Sequence, residues 1–466
     1  MPVIKAAKKK ASFLLGALVL LGGYLTPQIG VISNSGWRIL SILIFAIIFW
    51  SSEALPASAT AMAILILLPL TGVRSYQATF ASLGTVMIWR LVSIFIITEA
   101  IRRVGLADRI AYRFILLMRG KVRRTLLCVL LLAFAFAFIL PNSYSRTVLF
   151  VTIIVSWLRA AGLPPSSNVA KAFMISIPLV CTITASAIIV GASVDIFAAD
   201  LFNTLVGYHW SYFRWLLTNA PFCLLMTLAV YFLAIAVFKP EVDELGQLEV
   251  IRERLRALGS LSWQERQVIF IFAALMACWF TDLSESIPAE MLVGFVMILP
   301  GRRQIMSWKE AMDSVNWPII LLFGASISMA DSLQHSTLID WLNGAVSQGM
   351  GGSGVLLIAL LTVVATALIR LGMSNMTGAV ATLLPLLINV AAGLGMNPVW
   401  LGMICVLSSC TSFFFPAQSV NNLFSYGFGY FNNRDFLRFG LLLFPLFILC
   451  LLFCAFCYWP AIGLPL

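Results

Sequence analysis

Charged side chains are scarce in this chain. They make up 11% of its residues, whereas hydrophobic residues make up 61% and the mean hydropathy is +0.99. A water-soluble domain carries about a quarter charged residues. The composition therefore excludes a soluble globular protein. It predicts an all-α polytopic membrane protein, because a helix of about 20 apolar residues satisfies its own backbone while it crosses a bilayer.

Histidine is scarce, and the cysteines show no functional spacing. The chain has two histidines, and its nine cysteines lie within apolar runs without metal-ligand or disulfide-framework spacing. Cysteine in that setting behaves as a small hydrophobic residue. The sequence also offers no nucleophile paired with a base, no metal-ligand cluster and no phosphate loop. We therefore expect a protein that is not an enzyme and has no cofactor.

Positive charge is concentrated in short segments between the apolar runs. The net charge is +11, with a lysine-rich amino terminus and eight basic residues between positions 102 and 124. Basic loops of this kind stay on the cytoplasmic side. We therefore expect no nucleic-acid partner, a retained first span at residues 12–27, a cytoplasmic amino terminus and an external carboxyl terminus. The chain would lie in the inner or plasma membrane, in contact with lipid.

Two short polar breaks interrupt long apolar runs. They are residues 142–145 (NSYS) and 374–377 (SNMT), and they lie 232 positions apart. Each has apolar arms of about 15 residues, which is shorter than a full span. We predict two re-entrant hairpins, 125–160 and 353–393, in an inverted repeat that contains about 11 transmembrane helices. Breaks in corresponding places of two halves indicate the binding site of a secondary transporter.

A second pair of breaks follows the hairpins, at residues 191–195 (GASVD) and 416–422 (PAQSVNN). Opposed to the hairpin tips, these breaks would complete two cation sites beside a substrate site at mid-membrane. Asp195 is the one acid in them, and an intramembrane acid is by default functional. Equally, it could lie near a span end and face water. The alternative for the tips is polar contact between helices.

These patterns define the candidate site residues. Candidates for substrate binding are Asn142, Ser143, Tyr144, Ser374, Asn375, Met376 and Thr377. Candidates for cation binding are Asn142, Ser143, Gly191, Asp195, Asn375, Pro416 and Ala417.

Two arginines lie beside the hairpin tips, Arg146 after the first and Arg370 before the second. Either could balance the charge of an anionic substrate through a forked contact. Either could instead occupy the place of a cation as a fixed charge. The remaining alternative is a structural ion pair with Glu99 or Asp331.

Four stretches resemble the divalent anion/sodium symporters, the dicarboxylate and citrate transporters of the ion transporter superfamily. Residues 142–144 and 374–376 fall where that family has its two Ser-Asn-Thr signatures. Residues 317–342, which begin WPIILLFG, are similar to its span before the second hairpin. Residues 416–440 are similar to its final unwound span and following loop. The two signature threonines are replaced here by Tyr144 and Met376.

The resemblance implies a scaffold and a moving transport domain, an elevator mechanism and a homodimer. Sodium would bind between each signature and the opposing unwound span, and substrate carboxylates would bind at the signature side chains. The predicted regions are first-repeat scaffold 1–85, first-repeat transport region 86–238, cytoplasmic linker 239–263, second-repeat scaffold 264–315 and second-repeat transport region 316–466.

The functional prediction is a secondary active transporter of a small anion, a di- or tricarboxylate, coupled to sodium. The alternative is a proton-coupled or exchange-type anion carrier in which Arg146, Arg370 or Asp195 alters the cation sites. A membrane enzyme or a non-transporting binding protein would belong to a different class. Such a protein would consume or hold its ligand without accumulating it.

Overall fold

The computed structural model describes residues 2–28, 32–52, 54–140, 142–164, 166–281, 289–299, 304–338, 341, 354–372 and 376–466. Regular structure within these ranges is helical, apart from an isolated bridge between Lys121 and Glu244. The prediction of an all-helical membrane protein is confirmed; the number of spans stays a prediction. The helices in the first half are Pro2–Leu25, Asn34–Ser52, Ala57–Leu70, Tyr76–Ala81, Val86–Arg103, Leu106–Leu117, Val122–Ala135, Ser143–Ala160, Asn168–Ile183, Ser193–Val206 and Tyr212–Phe238.

The helices after residue 238 continue the same architecture. They are Glu249–Ala257, Trp263–Phe280, Ala289–Ile298, Trp308–Ser314, Trp317–Gln334, Val355–Gly372, Met376–Gly393, Pro398–Ser408, Val420–Tyr426, Asn433–Phe453 and Trp459–Ala461. Short 3₁₀ turns occupy Ser82–Gly84, Thr184–Ala187 and Pro416–Gln418, and a π-helical turn occupies Cys454–Tyr458.

Five helical segments of the described chain are long and apolar enough to cross a membrane. Shorter apolar helices of 10–17 residues accompany them. The five long segments are Tyr76–Arg103, Asn168–Ala187, Tyr212–Phe238, Met376–Gly393 and Asn433–Ala461.

The first hairpin consists of helices Val122–Ala135 and Ser143–Ala160. The second helix begins at residue 143 because Asn142 caps it, and its Oδ1 accepts from the backbone N–H groups of Tyr144 (2.9 Å) and Ser145 (3.3 Å). The second hairpin consists of Val355–Gly372 and Met376–Gly393. Its tip residues 373–375, which include the candidates Ser374 and Asn375, lie outside the described residues.

Two broken helices follow the hairpins. The first runs from Asn168 through a 3₁₀ turn, Thr184–Ala187, and an irregular stretch to the helix Ser193–Val206. The second runs from Pro398 to Ser408, then irregularly to the short helix Val420–Tyr426. We call residues 184–192 the first break and residues 409–419 the second break.

Both breaks begin earlier than the sequence indicated. Residues 191 and 416 were expected to open them, but the helices already end at Ile183 and Ser408. Each helix end is rich in hydroxyl groups that bond back to backbone carbonyls. Thr184 Oγ1 donates to Val180 O at 2.7 Å, and Ser409 Oγ donates to Val406 O at 2.7 Å. Such side-chain hydrogen bonds compete with the backbone hydrogen bonds of the helix and favour a helix end.

Gly191 is required by the close approach of two backbone segments in the first break. A Cβ atom at this position would lie 2.0 Å from the carbonyl oxygen of Ala185. No side chain fits at that distance, so the break folds back on itself only where glycine is present.

Candidate functional site

A cavity of about 590 Å³ lies where the first hairpin tip, the start of the helix Met376–Gly393 and the two breaks converge. Its walls come from both halves of the chain. The described lining residues are Ala57, Leu91, Ile94, Phe95, Thr98, Asn142, Ser143, Tyr144, Thr182, Val190, Gly191, Ala192, Ser193, Val194, Ile196, Asn316, Ile319, Arg370, Met376, Thr377, Ser419, Val420 and Asn421.

The described lining of this cavity contains polar groups and one positively charged side chain. Arg370 is the one charged side chain among its described lining residues, which otherwise carry hydroxyl, amide and apolar groups. A guanidinium in a poorly hydrated cavity attracts a carboxylate or another oxyanion far more strongly than it would in water. The arrangement therefore fits a small anion.

An adjoining cavity of about 430 Å³ differs in charge. It shares Ile94, Val190 and Ile196 with the first cavity. Its walls include both Arg90 and Glu290, whose Nε and Oε2 atoms are 3.8 Å apart. Charges of both signs neutralise one another there, so this second cavity is a poorer site for an anion.

The predicted site residues divide into three groups. Asn142, Ser143, Tyr144, Gly191, Arg370, Met376 and Thr377 all line the cavity. Arg146, Asp195, Pro416 and Ala417 are not among its lining residues. Ser374 and Asn375 are outside the described part of the chain.

Asn421, in the helix that follows the second break, joins this part of the second half to the first hairpin. Its Nδ2 donates to Thr182 Oγ1 at 2.8 Å and to Ser143 Oγ at 3.2 Å. One amide from the second half therefore touches both elements that form the site in the first half. Ser143 presents its hydroxyl at this junction, whereas the side-chain oxygen of Asn142 is used as a helix cap.

Tyr144 occupies the edge of the cavity. Its side chain is 41% exposed, and its ring packs edge-to-face on Phe424 with 5.8 Å between the ring centroids. The phenol thus forms part of the wall of a site that Arg370 and Thr377 also line.

Arg146 is buried behind the first hairpin tip. It is 0% exposed, and its Nη1 donates to Ala133 O (2.9 Å) and Thr184 Oγ1 (3.2 Å). Its Nη2 donates to Cys181 O at 3.0 Å. These acceptors lie at the carbonyl ends of Val122–Ala135 and Asn168–Ile183, where the helix dipoles favour a cation.

Arg370 holds the second break in a similar manner. It is 0% exposed, and its Nε donates to Ser409 O at 2.9 Å while its Nη2 donates to Gln418 O at 3.2 Å. Gln418 Nε2 returns a bond to the backbone carbonyl of Arg370 at 3.2 Å. The oxygen of the same amide accepts from the N–H groups of Phe414 and Phe415, at 2.9 Å each.

The alternative of a structural ion pair with Glu99 or Asp331 is wrong for both arginines in the described chain. Glu99 pairs with Arg102 at 2.6 Å and with Arg103 at 2.8 Å. Asp331 pairs with Arg74. Both acids are therefore engaged by other arginines. Arg370 bonds instead to two carbonyls of the second break, and Arg146 bonds to two helix carbonyls and the hydroxyl of Thr184.

Asp195 lies inside the protein, away from water. It is 0% exposed and sits in the first turn of Ser193–Val206. Ser186 Oγ donates to its Oδ1 at 2.9 Å, and the same hydroxyl lies 3.4 Å from Cys410 Sγ in the second break. Its Oδ2 is buried without a hydrogen-bond partner among the described residues. An unpartnered buried carboxylate oxygen is available to a proton or a cation.

Sequence reasoning missed Thr182, Ser186 and Gln418 as site residues. A signal was present in hydroxyl-rich stretches before each break, residues 182–186 (TITAS) and 408–412 (SSCTS), which align at an offset of 226. Gln418 lay within the second predicted break, but its bonds to Arg370 and to two backbone N–H groups depend on tertiary structure.

Comparisons with known proteins agree with this architecture. A family model described as the sodium:sulfate symporter transmembrane region matches residues 7–464. A membrane protein of Cupriavidus necator is 27% identical over 460 residues, which cover 94% of this chain and 90% of the relative. The sodium-dependent dicarboxylate transporter SdcS of Staphylococcus saprophyticus is 22% identical over 443 residues, which cover 89% of this chain and 85% of the relative.

Among solved structures, the chain is similar to the YdaH transporter of Alcanivorax borkumensis, whose crystal structure has an unusual topology. The TM-score is 0.55 with 13% identity, and the match covers 99% of this chain and 98% of that chain. At this identity the similarity concerns the fold alone.

Proposed function

Because this chain belongs to the sodium:sulfate symporter family, we propose that it is a secondary transporter that carries a small anion across a membrane together with Na⁺. The observation that carries this proposal is the cavity between the two hairpins. It is built from both halves, and Arg370 is its one charged residue within the described chain. An anion entering it would be attracted by the buried charge of Arg370 in the cavity wall and would find several hydrogen-bond donors.

The proposed substrate is a di- or tricarboxylate. A cavity of about 590 Å³ has the volume of a typical small-ligand site. Relatives at 22% identity are sodium-dependent dicarboxylate transporters. One carboxylate would bind near Arg370 and Thr377, and a second would reach Ser143 and Asn421. Tyr144 and Met376 would limit the shape of the carbon chain between them.

Sodium would bind where each tip meets a break. In the first half, the candidates are Ser143 and Asn142 at the tip and Gly191 in the break, with Asp195 buried behind them. In the second half, the candidates were Asn375, Pro416 and Ala417. Oxygen atoms released at helix breaks are the usual ligands of coupling ions in such folds.

The proposed movement is an elevator in which residues 86–238 and 316–466 carry the site. Ala57 is the one described lining residue of the cavity that lies outside these two ranges. The site could therefore travel with its own hairpins past the scaffold regions 1–85 and 264–315. A homodimer formed through the scaffolds would anchor that movement in the membrane.

A proton-coupled or exchange-type carrier is the second candidate function. It is favoured by Asp195, whose Oδ2 is buried without a hydrogen-bond partner in the described chain. A carboxyl group that gains and loses a proton during the cycle would use this oxygen. In that case transport would follow the proton gradient and would not need sodium.

The test is uptake of labelled succinate, citrate or sulfate into proteoliposomes. An inward Na⁺ gradient is compared with choline at constant pH, and a pH gradient is then imposed without Na⁺. Accumulation that requires Na⁺ supports the sodium symporter. Accumulation driven by pH alone, or uptake that requires an internal anion, supports the second candidate. No uptake of any of the three anions contradicts the proposed substrate class.

A further inference from the structure

We propose that Arg370 is a built-in cation that takes the place of one coupling Na⁺, so that sodium binding is confined to the first half of the transporter. The inference rests on the proposed function and refines its cation sites. It starts from the atoms that Arg370 touches in the second break.

The guanidinium of Arg370 already occupies oxygens that a coupling ion would use there. Ser409 O is 2.9 Å from Nε, and Gln418 O is 3.2 Å from Nη2. Both carbonyls belong to the unwound part of the second broken helix, which is where coupling ions bind in folds with discontinuous helices. A Na⁺ ion placed on the same oxygens would face a positive charge within a few ångströms in a poorly hydrated interior, which is strongly unfavourable.

The position of Arg370 is also held firmly. Gln418 accepts from Arg370 Nη2 through its backbone carbonyl and donates to the Arg370 carbonyl through its side chain. The side-chain oxygen of Gln418 accepts from two consecutive backbone N–H groups, those of Phe414 and Phe415. The charge is therefore part of the folded second break and does not depend on an ion from solution.

Arg370 differs from Arg146 in what it faces. Arg370 lines the cavity, whereas Arg146 is absent from its described lining. Arg146 bonds to Ala133 in the other arm of its own hairpin and to the helix end before the first break. Arg146 is accordingly a buried structural residue away from the cavity, whereas Arg370, which is equally buried, places its charge in the cavity wall.

The two arginines are not related by the internal repeat. The 232-residue offset pairs Arg146 with Gly378 and Arg370 with Phe138. A cavity-facing guanidinium therefore has no counterpart in the first half, where the equivalent position is apolar. The first half instead contains Asp195, and the 226-residue offset places the neutral Asn421 opposite it. An acid near one break and a fixed cation at the other predict one sodium site, in the first half.

The experiment measures how many sodium ions the protein binds. Purified full-length protein is titrated with NaCl at constant ionic strength in choline chloride, with and without succinate, and the thermal stability is recorded. Wild type is expected to show a Na⁺ Hill coefficient of about one. Arg370→Ser opens the second break to a cation and raises the coefficient to about two. Succinate affinity at low Na⁺ falls by about 10- to 100-fold, which corresponds to the loss of a charged hydrogen bond.

Arg370→Lys retains the charge and is the matched control, expected to keep the wild-type Hill coefficient. A wild-type coefficient of two that Arg370→Ser leaves unchanged overturns the inference while sodium coupling stands. If Na⁺ has no effect on wild type but stabilises Arg370→Ser, the replacement of a cation by Arg370 is supported, whereas the sodium site in the first half and sodium coupling are contradicted. If Na⁺ affects neither protein, the inference is overturned. Should Arg370→Ser fail to fold, the wild-type coefficient alone decides.

Discussion

The first and second hairpins each reach a helix break through a buried arginine, but the two side chains come from opposite arms. Arg146 lies on the arm after its tip and bonds to Cys181 O and Thr184 Oγ1. Arg370 lies on the arm before its tip and bonds to Ser409 O and Gln418 O. An inverted repeat therefore does not require equivalent side chains. It requires that the carbonyls of each broken helix find a donor or a cation.

The two halves also differ in what stands beside the cavity. Arg370 of the second half lies in the wall of the cavity, whereas Arg146 and Asp195 of the first half are absent from its described lining; all three side chains are buried. Two similar hairpins thus use their buried arginines differently, one for stability and one to place a charge at the cavity. Substitutions can separate these two roles, and the largest effect is expected at Arg146.

Arg146→Met is expected to destabilise the protein by roughly 3 kcal/mol or more, because three buried acceptors lose their donor. The measurement is the unfolding free energy in mixed micelles. Arg159→Met, an exposed arginine on the same helix, should change stability by less than about 0.5 kcal/mol. If Arg146→Met is as stable as Arg159→Met, Arg146 is not the buried structural residue inferred here.

Asp195→Asn is expected to weaken sodium binding by about 10- to 100-fold, because the amide removes the negative charge that would hold the ion. Folding should be preserved, since a neutral amide suits a buried site better than a carboxylate with an unpartnered oxygen. The measurement is the Na⁺ dependence of uptake.

Asp200→Asn, on the same helix, is the control for loss of a carboxylate. Anion uptake by this variant should retain the wild-type dependence on sodium. Should Asp195→Asn leave the Na⁺ dependence intact and shift the pH dependence of uptake instead, the proton-coupled candidate is favoured.

Asn142→Ala is expected to lower stability by about 1 kcal/mol through loss of a helix cap, and to impair uptake as well, because the cap forms the first hairpin tip. Asn397 provides a closely matched control in the second half. Its Oδ1 accepts from the N–H groups of Val399 (2.9 Å) and Trp400 (3.3 Å).

Asn397→Ala should lower stability by a comparable amount without changing uptake. The measurements are thermal unfolding and the initial rate of anion uptake. Equal losses of uptake in the two variants would argue that only helix stability matters at the first tip.

Tyr144→Thr is expected to have the smallest effect on stability, less than about 1 kcal/mol, because the ring is partly exposed and packs mainly on Phe424. Its effect should appear in substrate choice. A smaller side chain widens the cavity edge, so the affinity for citrate should increase relative to the affinity for succinate. The measurement is competition between the two anions for stabilisation of the purified protein. An unchanged ratio would show that Tyr144 does not shape the site.

Much of the architecture followed from sequence alone, and the hairpins show why. A polar tetrapeptide between two apolar arms has few alternatives in a bilayer, so Asn142 and Thr377 were placed at helix ends by composition. The breaks were harder to place. Their helices end at Ile183 and Ser408, where hydroxyl groups form hydrogen bonds to the backbone. In a sequence, hydroxyl residues are a weaker signal of a helix end than glycine or proline.

The sequence by itself determined that this chain is a helical membrane protein with two polar interruptions in each half, because hydrocarbon tolerates unpaired backbone groups only where protein or water covers them. It left the partners of Arg146, Arg370 and Asp195 open. Tertiary structure decided these partners, since the carbonyl and hydroxyl groups that form hydrogen bonds with the three side chains lie up to 48 residues away along the chain. A long, flexible arginine takes the acceptors that packing brings within its reach, and only the packed helices determine which those are.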